Sequence, residues 1–198
     1  MKRVFRIVTL ILILCLSVAA AGTVKLPPIG TAEEIISRAS VYCNKWQELI
    51  GDAFGYDMAF REENVSVVQE YHYDMGGNKV RTVNFDGIRL DVDADLTAYA
   101  AEIAVTPEEK EQYTGTARVF AFVSAVAYDY PASDAEMTAR YTSLLTEYND
   151  FMEANRDALA AGDFIYWEMS TGKGDFEFQF YPVGNRILML YDRLYFDE

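Results

Sequence analysis

Apolar residues recur every three or four positions in two long stretches of the chain, which is the spacing of amphipathic helices. This spacing predicts helices over residues 32–53 and 134–160. A capping box, in which a Ser or Thr is followed three residues later by Glu, marks three helix starts. The three pairs are Thr31 with Glu34, Thr106 with Glu109, and Ser133 with Glu136.

The segment over residues 117–130 is apolar almost all round, and its pattern fits both a buried helix and an alternating strand. Its alanine content favours the helix, because alanine has the highest intrinsic helix propensity. Gly115 then predicts a break between this helix and a short one before it.

Alternating apolar and polar residues predict strands in two clusters, joined by turns that are rich in Gly, Asn and Asp. The predicted strands are 65–73, 80–85, 88–92, 164–169, 176–181 and 186–195. Asp86 followed by Gly87 is the strongest hairpin signal, since both positions of such a turn take positive φ. The strand over 186–195 is apolar on both sides, which predicts a central strand that is covered on both faces.

Short hairpin connections make a sheet antiparallel, and each cluster of strands follows a long helix. We therefore predict an α+β domain of antiparallel β-meanders with helices packed on one face. The order of elements also suggests a duplicated helix-plus-meander unit, although no residue-by-residue repeat is visible.

The N-terminus has the layout of a secretory signal. Three basic residues precede an apolar run over residues 7–18, and small residues follow at 19–22. This run is shorter than the roughly 20 residues that a membrane-spanning helix needs. We predict a cleaved signal over 1–21, with a retained anchor as the alternative, and a single domain over 22–198 that is secreted or held in the cell envelope.

The charge of the chain restricts its partners. It carries 31 acidic and 17 basic residues, a formal net charge of −14. Nucleic acids and anionic membrane surfaces bind to basic protein surfaces, so the sequence predicts neither as a partner.

The chain offers few catalytic or metal-binding side chains. Outside the predicted signal Cys43 is the single cysteine, so no intramolecular disulfide is expected, and its helical spacing predicts a core residue. His72 is the single histidine, which excludes zinc sites with two or three imidazoles. No motif places a nucleophile near His72, and we predict a half-exposed strand residue beside Glu70.

One run of acidic residues follows part of the template of a calcium-binding loop. Positions 1, 3, 5 and 12 of that template are occupied by Asp91, Asp93, Asp95 and Glu102. Position 6, where a sharp turn requires glycine, is Leu96. The alternative interpretation is that Asp91 and Asp93 end a strand and that Asp95 caps a short helix that runs through Ala101.

Aromatic residues make up 14% of the chain and are concentrated in its last third. Most are expected in the core, but one face of the predicted strands there combines rings with polar groups. We predict that this face binds a sugar or a peptide, through Tyr166, Glu168, Glu177, Gln179 and Tyr181. Glu168 and Glu177 could also form the carboxylate pair of a glycosidase.

These observations favour a secreted or envelope-associated, non-enzymatic binding domain, whose partner is an extracellular protein, peptide or glycan. The first alternative is a hydrolase that uses two carboxylates to cleave cell-wall sugar or peptide. The second alternative is a calcium-dependent binding module.

Overall fold

The computed structural model describes residues 23–24, 28–61, 65–66, 70–104, 109–128, 133–181, 186–192 and 196–197. The chain divides into two compact units. The smaller unit contains a two-stranded antiparallel ribbon, in which β1 (Thr23–Val24) pairs with β10 (Phe196–Asp197). The larger unit, residues 28–193, contains the main sheet and the helices.

The main sheet is antiparallel and contains eight strands. They are β2 (Val65–Ser66), β3 (His72–Tyr73), β4 (Lys79–Phe85), β5 (Ile88–Asp93), β6 (Ala98–Ala104), β7 (Ile165–Thr171), β8 (Gly174–Tyr181) and β9 (Arg186–Asp192). Seven follow the order β2-β4-β5-β6-β9-β8-β7, and β3 also pairs with β4. The meanders β4-β5-β6 and β7-β8-β9 therefore join through their last strands, β6 and β9.

The described residues contain five α-helices and one π-helical turn. These are α1 (Ala32–Trp46), the π turn (Gln47–Gly51), α2 (Asp52–Phe54), α3 (Glu109–Ala127), α4 (Asp134–Ala154) and α5 (Arg156–Ala161). The capping boxes at Thr31 and Ser133 are confirmed, since each hydroxyl accepts from the backbone N–H of its Glu. Thr106, of the third box, lies outside the described residues. Among the described helices none is long and apolar enough to cross a membrane.

The helix predicted within 117–130 is confirmed up to Ala127, but the break predicted at Gly115 is wrong. Helix α3 runs through Gly115, which is buried, so tertiary packing outweighs the low helix propensity of glycine. The long helix predicted over 134–160 is interrupted at Asn155, between α4 and α5.

Strand β6 is the main error of the sequence interpretation, which placed a short helix after Asp95. Its alanines favour a helix, but the strand lies between β5 and β9 and joins the two meanders. The expected alternation is present, because Tyr99, Ala101 and Ile103 are all buried while the residues between them are half-exposed. Position in the sheet therefore decides the conformation, as it often does for weak β-formers.

The helices pack on one face of the sheet, as predicted. Aromatic rings on this face touch the helices, with Trp167 and Phe180 stacked on Phe151 of α4, and Tyr99 packed against Phe122 of α3. The core between helices and sheet is dominated by large apolar side chains, including Trp46, Tyr42, Phe120, Phe176, Phe178, Leu90 and Met189. Cys43 is fully buried there, as predicted.

Strand β9 is central, as predicted, but the described residues cover only one of its faces. Met189 is completely buried under the helices, whereas Leu188 and Leu190 on the other side are only half-buried. The prediction that both faces are covered is therefore wrong for the part of the chain that is described, although both sides of the strand are apolar.

Candidate functional site

The face of the sheet that lies opposite the helices is called the open face here. Register places its side chains in three rows that cross β4, β5, β6, β9, β8 and β7 in that order. The rows are Asn84, Arg89, Glu102, Leu188, Gln179 and Tyr166; then Thr82, Asp91, Ala100, Leu190, Glu177 and Glu168; then Val80, Asp93, Ala98, Asp192, Asp175 and Ser170.

The middle of the open face is apolar and the flanks are acidic. We define the apolar strip as Ala98, Ala100, Leu188 and Leu190, which are cross-strand or adjacent neighbours on β6 and β9. All four are half-buried. Carboxylates flank the strip on both sides, from Asp91 and Asp93 on β5 to Asp175, Glu177 and Glu168 on β8 and β7.

The structure brings together the five residues that were predicted to bind a ligand. Tyr166 faces Gln179 across β7 and β8, and Glu168 faces Glu177. The Tyr181 hydroxyl donates to Gln179 Oε1 at 2.7 Å, and Gln179 Nε2 donates to Glu177 Oε1. Hydrogen bonds between neighbours therefore orient these side chains on the open face.

One ring of this group and one ring beside it are largely exposed. Tyr166 is 59% exposed. Phe164, at 54%, packs edge-on against Tyr181 with the ring centres 5.2 Å apart. Rings that are this exposed contribute little to the core. They supply contact area at low entropic cost when a partner covers them.

Three of the four predicted calcium ligands, Asp91, Asp93 and Glu102, have separate partners. Asp91 accepts from the Thr82 hydroxyl and pairs with Arg89 at 2.9 Å. Glu102 pairs with Arg186 at 2.6 Å on the same face. Within the described ranges no three His, Cys, Asp or Glu side chains are grouped to hold a metal ion.

The carboxylate of Asp93 holds the turn between β5 and β6. It accepts from the backbone N–H of Thr97 at 2.7 Å, from the Thr97 hydroxyl at 2.8 Å and from the N–H of Ala98 at 3.0 Å. Asp95 is exposed in this turn, where Leu96 has a φ of +55°. The residues of the calcium template thus form a hairpin connection with no helix on either side.

A groove of about 530 Å³ lies at this end of the open face. Its lining includes Asp74, Asp91, Asp93, Asp95 and Asp192, together with Lys79 and part of the apolar strip. The backbone N–H and the side chain of Asn78 donate hydrogen bonds to the Asp74 carboxylate and lower its pKa. The backbone bond has the larger effect. The groove is therefore a negatively charged extension of the open face.

His72 lies half-buried on β3, at the edge of the sheet, where the prediction put a half-exposed strand residue. Its Nε2 is 3.3 Å from Thr82 Oγ1. Because the Thr82 hydroxyl gives its proton to Asp91, His72 Nε2 must be the donor in that contact. A hydroxyl already committed to a carboxylate does not have the arrangement of a nucleophile activated by histidine.

Burial also excludes Cys43 and Tyr99 as nucleophiles. It raises the pKa of the Cys43 thiol and that of the Tyr99 hydroxyl, because the charged forms would lose their hydration. Neither group is a nucleophile near neutral pH.

The apolar strip is not apparent from the sequence alone. The sequence predicts Ala98 and Ala100 in a short helix, and Leu188 and Leu190 as covered residues. The alternation of Tyr99, Ala101 and Ile103 was the available signal for β6, and the strip follows once that strand is placed.

Comparisons of the chain with protein-family models, with curated proteins and with solved structures find no significant match.

Proposed function

We propose that the chain is a non-enzymatic binding domain of an exported protein, secreted or held in the cell envelope, and that the open face is its contact surface. The observation that carries this proposal is the apolar strip at the centre of the sheet, which is only half-buried and is bordered by carboxylates. A sheet normally buries one face and solvates the other with polar residues, so leucines at the centre of the solvated face suit a partner.

Charge narrows the class of partner. The open face carries Asp91, Asp93, Asp175, Glu177 and Glu168 around its apolar centre. Two arginines on this face, Arg89 and Arg186, are already paired with carboxylates. A protein, peptide or glycan with positive charge and some apolar surface complements this face, whereas nucleic acid and anionic lipid are repelled by it.

Binding to panels of immobilised peptides and glycans tests the proposal. We expect Leu190→Arg, which places a long charged side chain on the apolar strip, to abolish the binding of any ligand found with the native protein. Phe54→Arg is the matched control, because Phe54 is 68% exposed but lies on α2, away from the sheet. Equal binding by the native protein and Leu190→Arg would refute the open face as the contact surface.

Export is a separate part of the proposal and has its own test. The intact mass of the protein recovered outside the cytoplasm should correspond to removal of residues 1–21. A mass that includes these residues would favour the retained anchor.

A carboxylate-dependent hydrolase is the second candidate, favoured by the position of Glu168 directly opposite Glu177 on the open face. Directly opposed residues have Cβ atoms about 5 Å apart, so their carboxyl groups can reach the separation of about 5–5.5 Å that a retaining glycosidase needs. If this function is correct, the native protein will cleave cell-wall fragments and both Glu168→Gln and Glu177→Gln will abolish cleavage. Binding without cleavage by all three proteins favours the first proposal.

A further inference from the structure

Strand β7 forms one edge of the main sheet. It pairs with β8 on one side, and in the part of the chain that the structure describes no strand pairs with its other side. At seven residues, Ile165–Thr171 is long for an edge strand, and it contains neither proline nor lysine. Natural edge strands usually carry charged residues or proline to prevent the pairing of another chain, and the single charged residue of β7 is Glu168.

The turn between β7 and β8 determines which backbone groups face the free edge. Thr171 pairs with Gly174 across a two-residue turn, so these two residues form a hydrogen-bonded pair. Alternation along an antiparallel ladder then directs the N–H and C=O groups of Tyr166, Glu168 and Ser170 away from β8. Three residues therefore offer backbone donors and acceptors to an added strand.

The side chains of these three residues lie on the open face, in line with the rows described above. Tyr166, Glu168 and Ser170 are all exposed. A strand added beside β7 would extend each row by one position, and its side chains would lie next to these three. Its central side chain would meet Glu168, with Glu177 one strand further in.

Charge disfavours a second copy of this chain as the added strand. Full-length antiparallel pairing of β7 with itself places Glu168, the middle residue of the strand, directly opposite Glu168 of the other copy. Like charges in directly opposed positions destabilise a strand pair. The net charge of −14 adds repulsion between whole molecules.

We propose that β7 is a docking edge for an extended polypeptide segment with lysine or arginine at alternate positions, which adds as a further strand of the main sheet. This inference rests on the proposed function, because it specifies how a partner reaches the open face. Backbone hydrogen bonds supply sequence-independent affinity, and the pairing of a basic side chain with Glu168 supplies specificity. The exposed rings of Phe164 and Tyr166 cover the end of the added strand.

The probe is a synthetic nine-residue peptide in which lysine alternates with valine, compared with the same peptide carrying glutamate in place of lysine. Binding is followed by fluorescence anisotropy, and backbone amide exchange of the protein is measured with and without peptide. We expect the lysine peptide to bind, the glutamate peptide not to bind, and the amides of Tyr166, Glu168 and Ser170 to become protected. Binding should weaken as salt is added.

Two changes test the mode of binding, one on each partner. Glu168→Lys should weaken binding of the lysine peptide about tenfold or more, since it turns an attraction into a repulsion. N-methylation of alternate peptide amides along one edge should also abolish binding, because that edge can no longer donate to β7. This second change does not affect the folding of the protein.

The outcomes separate this inference from the proposed function. If Leu190→Arg abolishes binding of the lysine peptide but the three β7 amides stay unprotected, the open face binds and strand addition is refuted. If the amides become protected and the N-methylated peptide does not bind, strand addition is supported. Sedimentation of the native protein as a dimer with protected β7 amides would assign the edge to a second copy and overturn the proposal.

Discussion

The buried ion pair between Arg118 of α3 and Asp86 of the β4–β5 turn fastens a helix to the sheet. Arg118 Nη2 lies 2.6 Å from Asp86 Oδ2, and Arg118 Nη1 donates to the Asp86 carbonyl at 3.1 Å. The two side chains are only 13% and 9% exposed. Removing one partner of such a pair leaves the other charge buried without compensation.

We expect Arg118→Ala to lower the free energy of unfolding by about 3 kcal/mol, measured by urea denaturation. Arg156→Ala is the control, since Arg156 pairs with Glu153 on the surface, where both side chains are more than half exposed. That change should cost less than about 1 kcal/mol. Similar losses in the two variants would show that the Arg118 pair contributes no more than a surface pair.

The capping box at the start of α4 makes part of the stability depend on pH. The Glu136 carboxylate accepts hydrogen bonds from the backbone N–H and from the hydroxyl of Ser133. Both bonds lower its pKa, and the backbone bond has the larger effect. A group whose pKa is lower in the folded protein stabilises it above the unfolded pKa, and this contribution is lost as the pH falls through the folded value. Glu136→Gln should therefore be less stable than the native protein near neutral pH.

The same difference should shrink as the pH falls below the ordinary glutamate pKa and through the lowered folded value, because the carboxyl is then protonated in both states. Urea denaturation of the native protein and of Glu136→Gln across this range measures it. A difference that stays constant down to low pH would mean that the carboxylate charge is not the source of the stabilisation.

At the level of elements, the hairpin between β7 and β8 depends on close contact between its turn and β9. A Cβ added at Gly174 would lie 2.4 Å from the carbonyl oxygen of Asp192 and 2.7 Å from the hydroxyl of Tyr191. That hydroxyl donates to the carbonyl of Lys173 and so fixes the turn. Position 174 therefore requires glycine because there is no room for a side chain, and not because the backbone has a positive φ.

We expect Gly174→Ala to destabilise the protein by about 1–3 kcal/mol, the usual cost of overpacking. Gly172→Ala, in the same turn, is the control, because a Cβ there meets nothing within 4 Å. That change should stay within about 0.5 kcal/mol of the native protein, as judged by thermal or urea denaturation. Loss of stability in both variants would assign the effect to the turn conformation and not to the contact with β9.

The elements with strong local signals could be predicted from the sequence. The turn at Asp86 and Gly87 has positive φ at both residues, 43° and 78°, as its Asp-Gly sequence predicted. The boundary of α4 follows from Ser133 and Glu136 in the same way. Such features depend on neighbours within four residues, which the sequence displays directly.

Features that depend on distant contacts could not be predicted. Strand β6 is alanine-rich, and only its pairing with β5 and β9 makes it a strand. Leu188 and Leu190 looked like core residues because the sequence does not indicate which side of β9 the helices occupy. For the candidate site, alternation along β7 and β8 was enough to group Tyr166, Glu168, Glu177, Gln179 and Tyr181 on one face.

For the whole molecule, calcium is expected to have no effect on stability. The carboxylates of Asp91, Asp93 and Glu102 already have separate partners on the sheet and in its turn. A calcium site with a dissociation constant ten times below the added concentration would contribute about 1.4 kcal/mol. We expect the Tm to be the same in millimolar calcium as in chelator, and a rise of several degrees would restore the calcium-dependent module.

The central claim is that the main sheet leaves one face open for a partner. Leu190 and Met189 are adjacent on β9 and point to opposite faces, so cysteines at these positions report on the two faces separately. Native Cys43 does not interfere, because it is completely buried. The most direct measurement is the rate at which a thiol reagent labels Leu190→Cys and Met189→Cys in the folded protein, with Cys15 replaced by serine.

We expect Leu190→Cys to be labelled in the folded protein, more slowly than the exposed reference Ser170→Cys but far faster than Met189→Cys, which should react only when the protein is unfolded. If Leu190→Cys is as slow as Met189→Cys, another part of the chain covers the face and the claim fails.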